Sequence, residues 1–325
     1  MQQHVVSTAS HRMPTARPAV SVILVSDYAA GATKGWDDLR GCLSALARQD
    51  CTEPAEFILS EHERFADAIP PYLSDLLPSL RVVTSSGNGS YALKNYGVAQ
   101  ASAELIAILD ADCSPERDWL SNIIAAFRTW PDTAAISGRT TYEGRTLWER
   151  ILALLSRSYL DTVHEGPTPF ISNNNAAWKR DVYLANPLPT DSGPFAARMQ
   201  SESVRRAGGV LRFDPTIRAV HEFEGWGMEA DIRRNTGFGT VVTRLHDPRL
   251  PYAKLIRMGR AAIPFIAAGK TWNAWRDCLR CSHVYGVRRH ELPLALALAP
   301  VLIGLETGGM WAAYGKDGVG DSAYR

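Results

Sequence analysis

The stretch Glu104-Leu-Ile-Ala-Ile-Leu-Asp-Ala-Asp-Cys113 constrains this chain more than any other. Leu105 to Leu109 are apolar with no polar residue alternating between them. A run this short suits a strand buried on both faces, as in a parallel sheet covered by helices. It ends on Asp110 and Asp112, with Ala111 between them. In open α/β sheets the ligand sits beyond the carboxyl ends of the strands. Two acids at such an end can both reach one divalent cation. Mg²⁺ and Mn²⁺ take carboxylate, water and phosphate oxygens, so the expected third party is a pyrophosphate. The plainer reading is an Asp-rich turn that starts the helix after Pro115.

The rest of the chain supplies the expected sheet. Ala19–Val25, Glu56–Ser60 and Leu80–Thr84 read as strands, and Trp36–Arg48 and Tyr91–Ala101 as helices between them. Leu39, Cys42, Leu43 and Leu46 recur at helical spacing. After Pro115, Trp119, Leu120, Ile123, Ile124 and Phe127 mark another amphipathic helix, and Ala134–Gly138 a further strand. This alternation predicts an α/β fold with a mainly parallel sheet flanked by helices. Val210–Phe213 and Ile217–Val220 read as two strands around the Asp214-Pro215 turn, the second ending at His221.

Charge is nearly balanced, with 35 Lys+Arg against 34 Asp+Glu, so no nucleic-acid partner is expected. The five cysteines have no framework spacing, which points to a reducing compartment. Cys278 and Cys281 are spaced to share one helix face. Residues 1–18 are polar and read as a disordered lead-in.

Taken in order, the blocks of residues 19–221 resemble the nucleotide-sugar-dependent glycosyltransferases of family two, which have the GT-A fold. Ala19–Ser26 resembles the strand whose end contacts the nucleotide base, and Glu56–Glu61 the strand whose terminal acid reads uracil, here Glu61 instead of Asp. Gly89-Ser-Tyr-Ala-Leu-Lys-Asn95 looks like the Gly-x-x-x-Ala-Arg-Asn block, with Lys94 for Arg. Leu109–Asp112 looks like the Asp-x-Asp metal block, Asn173–Arg180 the acceptor-side block, and Arg205–His221 the last block. The resemblance implies a donor site of Val25, Asp27, Glu61, Lys94, Asp110, Ala111 and Asp112. Asp112 is the first choice as metal ligand, Asp110 bridges metal and ribose, and His221 supplies a further ligand. It also implies a Mg²⁺ or Mn²⁺ cofactor, a nucleoside-diphosphate sugar donor with a UDP-sugar favoured, and an inverting transfer.

The sequence departs from the family where the catalytic base belongs. Ala196 and Ala197 occupy those positions, and neither takes a proton. Asp191 and Glu202 are the nearby candidate bases. A nucleotide-sugar-binding scaffold without a base is therefore the rival reading. A nucleotidyltransferase is weaker, because no Gly-rich basic loop follows the first strand.

Trp226, Arg233 and Arg234 fall where related enzymes carry acceptor-side residues, and Asn173 and Asn174 join them as candidate acceptor contacts. Beyond a transferase domain placed at 19–228, residues 229–325 read as a helical extension. From Lys254 to His290 eight Lys and Arg residues face one acid, Asp277. Leu292–Leu305 is uncharged, yet Glu306 and two prolines interrupt it. A basic, Trp-bearing region beside an apolar run of marginal spanning length suits a peripheral or monotopic anchor on the cytoplasmic face of a membrane; the alternative is a buried helical hairpin packed on the transferase domain. A glycan or lipid-linked acceptor at that membrane surface follows as the expectation.

Overall fold

A computed structural model describes residues 17–26, 35–223 and 225–315. Residues 1–16 of the expected lead-in, and Asp27, lie outside the described residues. The N-terminal half is the expected parallel sheet. Strands β1 (Val20–Val25), β2 (Ala55–His62), β3 (Leu80–Ser85) and β4 (Leu105–Asp110) pair in the order β3-β2-β1-β4, all parallel. Helices α1 (Asp38–Leu46) and α2 (Tyr72–Leu76) cover one face, and α3 (Ser90–Gln100) the other. The core of β1 and β4 is almost wholly buried, as apolar runs without alternation require.

The second half adds antiparallel strands to this parallel sheet. Beyond β5 (Cys113–Pro115) and α4 (Trp119–Thr129) lie β6 (Thr133–Tyr142), α5 (Leu147–Arg157) and β7 (Gly166–Pro167). Strand β8 (Asn175–Lys179) then inserts between β4 and β6, antiparallel to both. After α6 (Arg180–Ala185) and α7 (Ala196–Arg206) comes β9 (Val210–His221). It runs parallel to β6 and antiparallel to β5, so the whole sheet is mixed. The two strands expected around Asp214-Pro215 are one strand with a register shift. Thr216 turns back on Asp214 Oδ1, and pairing resumes at Arg139↔Arg218.

The expected boundary at residue 228 falls inside α8 (Trp226–His246), a single unbroken helix. A short α9 (Ala253–Ile256), then α10 (Ile263–Cys281) and α11 (Leu292–Ala313), complete the described residues. These helices share a core with the sheet domain: Tyr142, Ile151 and Leu154 pack with Cys278, Cys281 and Leu302. Cys278 and Cys281 are free and buried on one face of α10, and burial pushes their thiols up to about 12 and about 11.

Candidate active site

The short strand β5 builds the site. It leaves β4 through Ala111 and Asp112, then pairs with the end of β9, setting Cys113 opposite His221. Glu222 N–H donates to Asp112 O at 2.9 Å and locks the turn. This brings Asp112 Oδ2 to 3.0 Å from His221 Nε2, with both side chains nearly buried.

The imidazole orientation is fixed from its other side. His221 Nδ1 lies 2.6 Å from Glu222 O, an acceptor, so Nδ1 carries the proton. In neutral histidine the Nε2 lone pair then points at a carboxylate oxygen. Two acceptors at 3.0 Å need a cation between or beside them, a proton or a metal ion. Oxygen and neutral imidazole ligands suit Mn²⁺ and similar divalent ions. Asp112, Cys113 and His221 place one potential ligand atom each within 4.8 Å of one another. Cys113 is fully buried, and burial together with the nearby Asp112 and Asp110 holds its thiol well above the usual range. Mg²⁺ and Mn²⁺ favour oxygen and imidazole nitrogen over soft sulfur, so the chemistry of the set rests on the carboxylate and the imidazole.

Asp110 is engaged differently from the expectation of a metal ligand. Its Oδ1 accepts from Lys94 Nζ at 2.5 Å, and Lys94 also donates to Asn173 O at 3.1 Å. Lys94 is buried, neither a solvated helix lysine nor an open charge awaiting a diphosphate. The Asp110 side chain stays 27% exposed, which leaves it room to accept from a hydroxyl.

The other sequence-derived candidates divide by how far their polar atoms are already committed. Val25 and Ala111 are buried at the strand ends. Glu61 is fully buried; Ser26 Oγ donates to one of its oxygens and His62 N–H to the other at 2.6 Å. Burial pushes the Glu61 carboxyl up against the pull of these two bonds. Asn173 is used internally, donating to Gln200 Oε1 and accepting from Trp178 Nε1. Asn174 O accepts from Asp110 N–H, and its Oδ1 from Ser172 Oγ. Both asparagines thus shape the loop behind Asp110.

Arg233 departs furthest from its expected place beside an acceptor. It is held inside the helical region, its Nε 2.8 Å from Glu229 and its Nη1 3.1 Å from Glu306, and it also donates to Ser156 Oγ and Leu155 O. Arg234 is exposed and pairs with Asp231. Glu202 is clamped by Arg205 and Arg206. Asp191 is exposed and accepts from Ser192 Oγ. Ala196 and Ala197 are buried in the apolar core with Trp178 and Tyr183.

Sequence reasoning missed an aromatic series leading outward from the site. His221 meets Tyr142 edge-on at 5.7 Å between ring centroids, and Tyr142 meets Phe223 at 5.6 Å. Phe223 contacts Trp226, which stands edge-on to Trp148 at 5.7 Å. Both tryptophans are nearly half exposed. Trp148 carried no signal beyond being an apolar residue on an amphipathic helix.

The mixed sheet with its flanking helices has the architecture of the GT-A glycosyltransferases. Residues 31–185 match the family model described as glycosyl transferase family 2. The glycosyltransferase AglE of Haloferax volcanii is 26% identical over 242 residues, which span 70% of this chain and 75% of that protein. The mannosyltransferase PcManGT from Pyrobaculum calidifontis, in complex with GDP-Man and Mn²⁺, shares the fold. Its TM-score is 0.57 at 16% identity, covering 91% of this chain and 88% of that one. The match over residues 31–185 makes this part of the chain similar to family 2 transferases, and the chain is a glycosyltransferase.

Proposed function

We propose that this enzyme moves a sugar from a nucleoside-diphosphate donor, with inversion, to a glycan or lipid-linked acceptor at a membrane surface, using a divalent ion held by Asp112 and His221. The observation that carries the reading is the 3.0 Å approach of His221 Nε2 to Asp112 Oδ2 with Nδ1 already committed to Glu222 O. Asp112 and His221 would hold a cation that, when bound, would neutralise charge developing on the departing diphosphate. Lys94 fixes the rotamer of Asp110, whose exposed edge accepts a ribose hydroxyl. Asp191 is the better candidate base, because its carboxylate is exposed while Glu202 is held by two arginines.

The test is titration of the protein with UDP, GDP and their sugars, with and without Mn²⁺, followed by donor turnover. Metal-dependent nucleotide binding with sugar release is expected. No affinity for any nucleoside diphosphate under either condition would overturn the reading.

The Trp148–Trp226 corner gives the acceptor side. Aromatic faces bind the apolar face of a sugar ring, and the corner joins His221 through Phe223 and Tyr142. Trp148→Ala and Trp226→Ala should each raise the acceptor KM about tenfold, roughly the loss of one aromatic contact. Donor hydrolysis without acceptor should stay near wild type. An unchanged acceptor KM in both variants would remove the corner from the acceptor site.

A further inference from the structure

We infer that α10 and α11 form a fixed plate that lies within one leaflet of an anionic membrane, and that α11 does not cross the bilayer. This deepens the membrane side of the proposed function, and it rests on that reading only in placing the acceptor there.

By length and composition α11 qualifies as a spanning helix, with 22 residues and a mean hydropathy of 1.6. Its packing argues otherwise. Glu306, inside the apolar run, is buried and bound by Arg233 of α8 and Lys270 of α10. Two glycines bring the α8 and α11 backbones into contact. A Cβ on Gly237 would stand 1.9 Å from Glu306 O, and one on Gly309 would stand 1.9 Å from Arg234 O. Helix α11 is thus joined to α8, which carries Asp231, Arg233, Arg234 and Arg244 and cannot enter hydrocarbon. A helix held along one side by a charged partner offers lipid only its other side.

That other side is apolar along its whole length. Only 33% of the apolar window of α11 is buried, and Leu294, Val301 and Trp311 stand out from it. On α10, Phe265 and Trp272 are 66% and 67% exposed. The two helices run antiparallel. Trp275 Nε1 donates to Leu296 O at one end, and the Arg260 guanidinium lies 4.7 Å from the Trp311 ring at the other.

Charge selects the occupant. From Lys254 to Tyr314 there are three acids, and the protein takes up all of them. Asp277 is buried beside Arg280, Glu291 pairs with Arg150, and Glu306 lies in the α8 network. The exposed charges of this region are all basic, among them Arg257, Arg260, Arg276, Arg288 and Arg289. A protein partner would be expected to meet a mixed surface. An apolar stripe with tryptophans and a purely cationic border fits lipid tails under anionic headgroups.

The experiment is cosedimentation of the full chain with phosphatidylcholine vesicles, with and without phosphatidylglycerol. Binding to the anionic vesicles should be at least tenfold tighter and should weaken with salt. Phe265→Asp with Trp272→Asp should weaken it tenfold or more, and so should the fully surface change Arg288→Glu with Arg289→Glu. Tryptophan quenching should be stronger from bromines placed near the headgroups than from bromines at the tail ends, and alkaline carbonate should release the protein. Absence of vesicle binding, a preference for neutral vesicles, or retention through carbonate with deep quenching would overturn the inference. Donor hydrolysis measured without vesicles should be unchanged in both double variants. Its absence from the wild type would count against the catalytic reading and leave this one standing.

Discussion

Asp112→Ala should lower the transfer rate by about a hundred- to a thousandfold, the scale on which removing one preorganised electrostatic contact slows an enzyme. Asp112 is placed by backbone bonding at a strand junction, with its carbonyl accepting from Glu222 N–H and its neighbour Cys113 paired with His221. Truncating the side chain leaves that ladder intact, so the fold should survive. The expected signature is specific: affinity for a nucleoside diphosphate loses its dependence on Mn²⁺. Asp112→Asn keeps the shape and removes the charge, and should fall nearly as far. His221→Ala removes a neutral ligand and should cost roughly ten- to a hundredfold in metal affinity. Asp110→Asn is a poor substitute for this test, because it leaves the buried Lys94 ammonium without its carboxylate and weakens folding as well as function. Transfer at the wild-type rate by Asp112→Asn, in the presence of Mn²⁺, would remove Asp112 from the chemistry.

The parts of this molecule that follow from local pattern were legible in its sequence. Leu105–Leu109 has no alternation because β4 is covered on both faces, and its two acids emerge where the sheet ends. The parallel half followed from strand–helix alternation in the same way. The mixed half did not, because its order depends on β8. The sequence shows a polar block at Asn173–Asn175 and cannot show that the strand starting there slots between β4 and β6. Strand β5 is three residues long, too short for any periodicity, yet it sets Asp112 against His221. The fates of the basic residues were hidden for a related reason. Lys94 finds Asp110 16 residues away and Arg233 finds Glu306 73 residues away, so local spacing showed neither pairing, whereas the Arg233–Glu229 pair lies at helical spacing. Ala196 and Ala197 read correctly as unable to serve as a base, but only the fold shows them filling apolar core.

Glu306→Ala should destabilise the protein by about 3–5 kcal/mol, the usual cost of leaving a buried charge without its partner. Glu306 and Glu229 together balance Arg233 and Lys270 in a region nearly closed to solvent. Burial works against the charge on Arg233, yet Glu229 and Glu306 outweigh it and hold the guanidinium above its ordinary range. Removing Glu306 leaves Lys270 without its carboxylate and Arg233 with Glu229 alone, between helices α8 and α11 whose backbones touch at Gly237 and Gly309. Arg233, the more buried of the two cations, has little room to swing out to water. Denaturant unfolding of the full chain measures the loss, and a lowered midpoint at unchanged slope is the expected form. Glu306→Gln should fall between alanine and wild type, since the amide oxygen can still accept from one cation. A second variant separates charge from shape. Lys270→Met added to Glu306→Ala takes away one of the stranded cations, and should recover part of the stability lost in Glu306→Ala alone. Were the double variant less stable than Glu306→Ala by the full cost of Lys270→Met alone, the two side chains would be uncoupled. The tie between α11 and the rest of the protein would then rest on the glycine contacts rather than on charge.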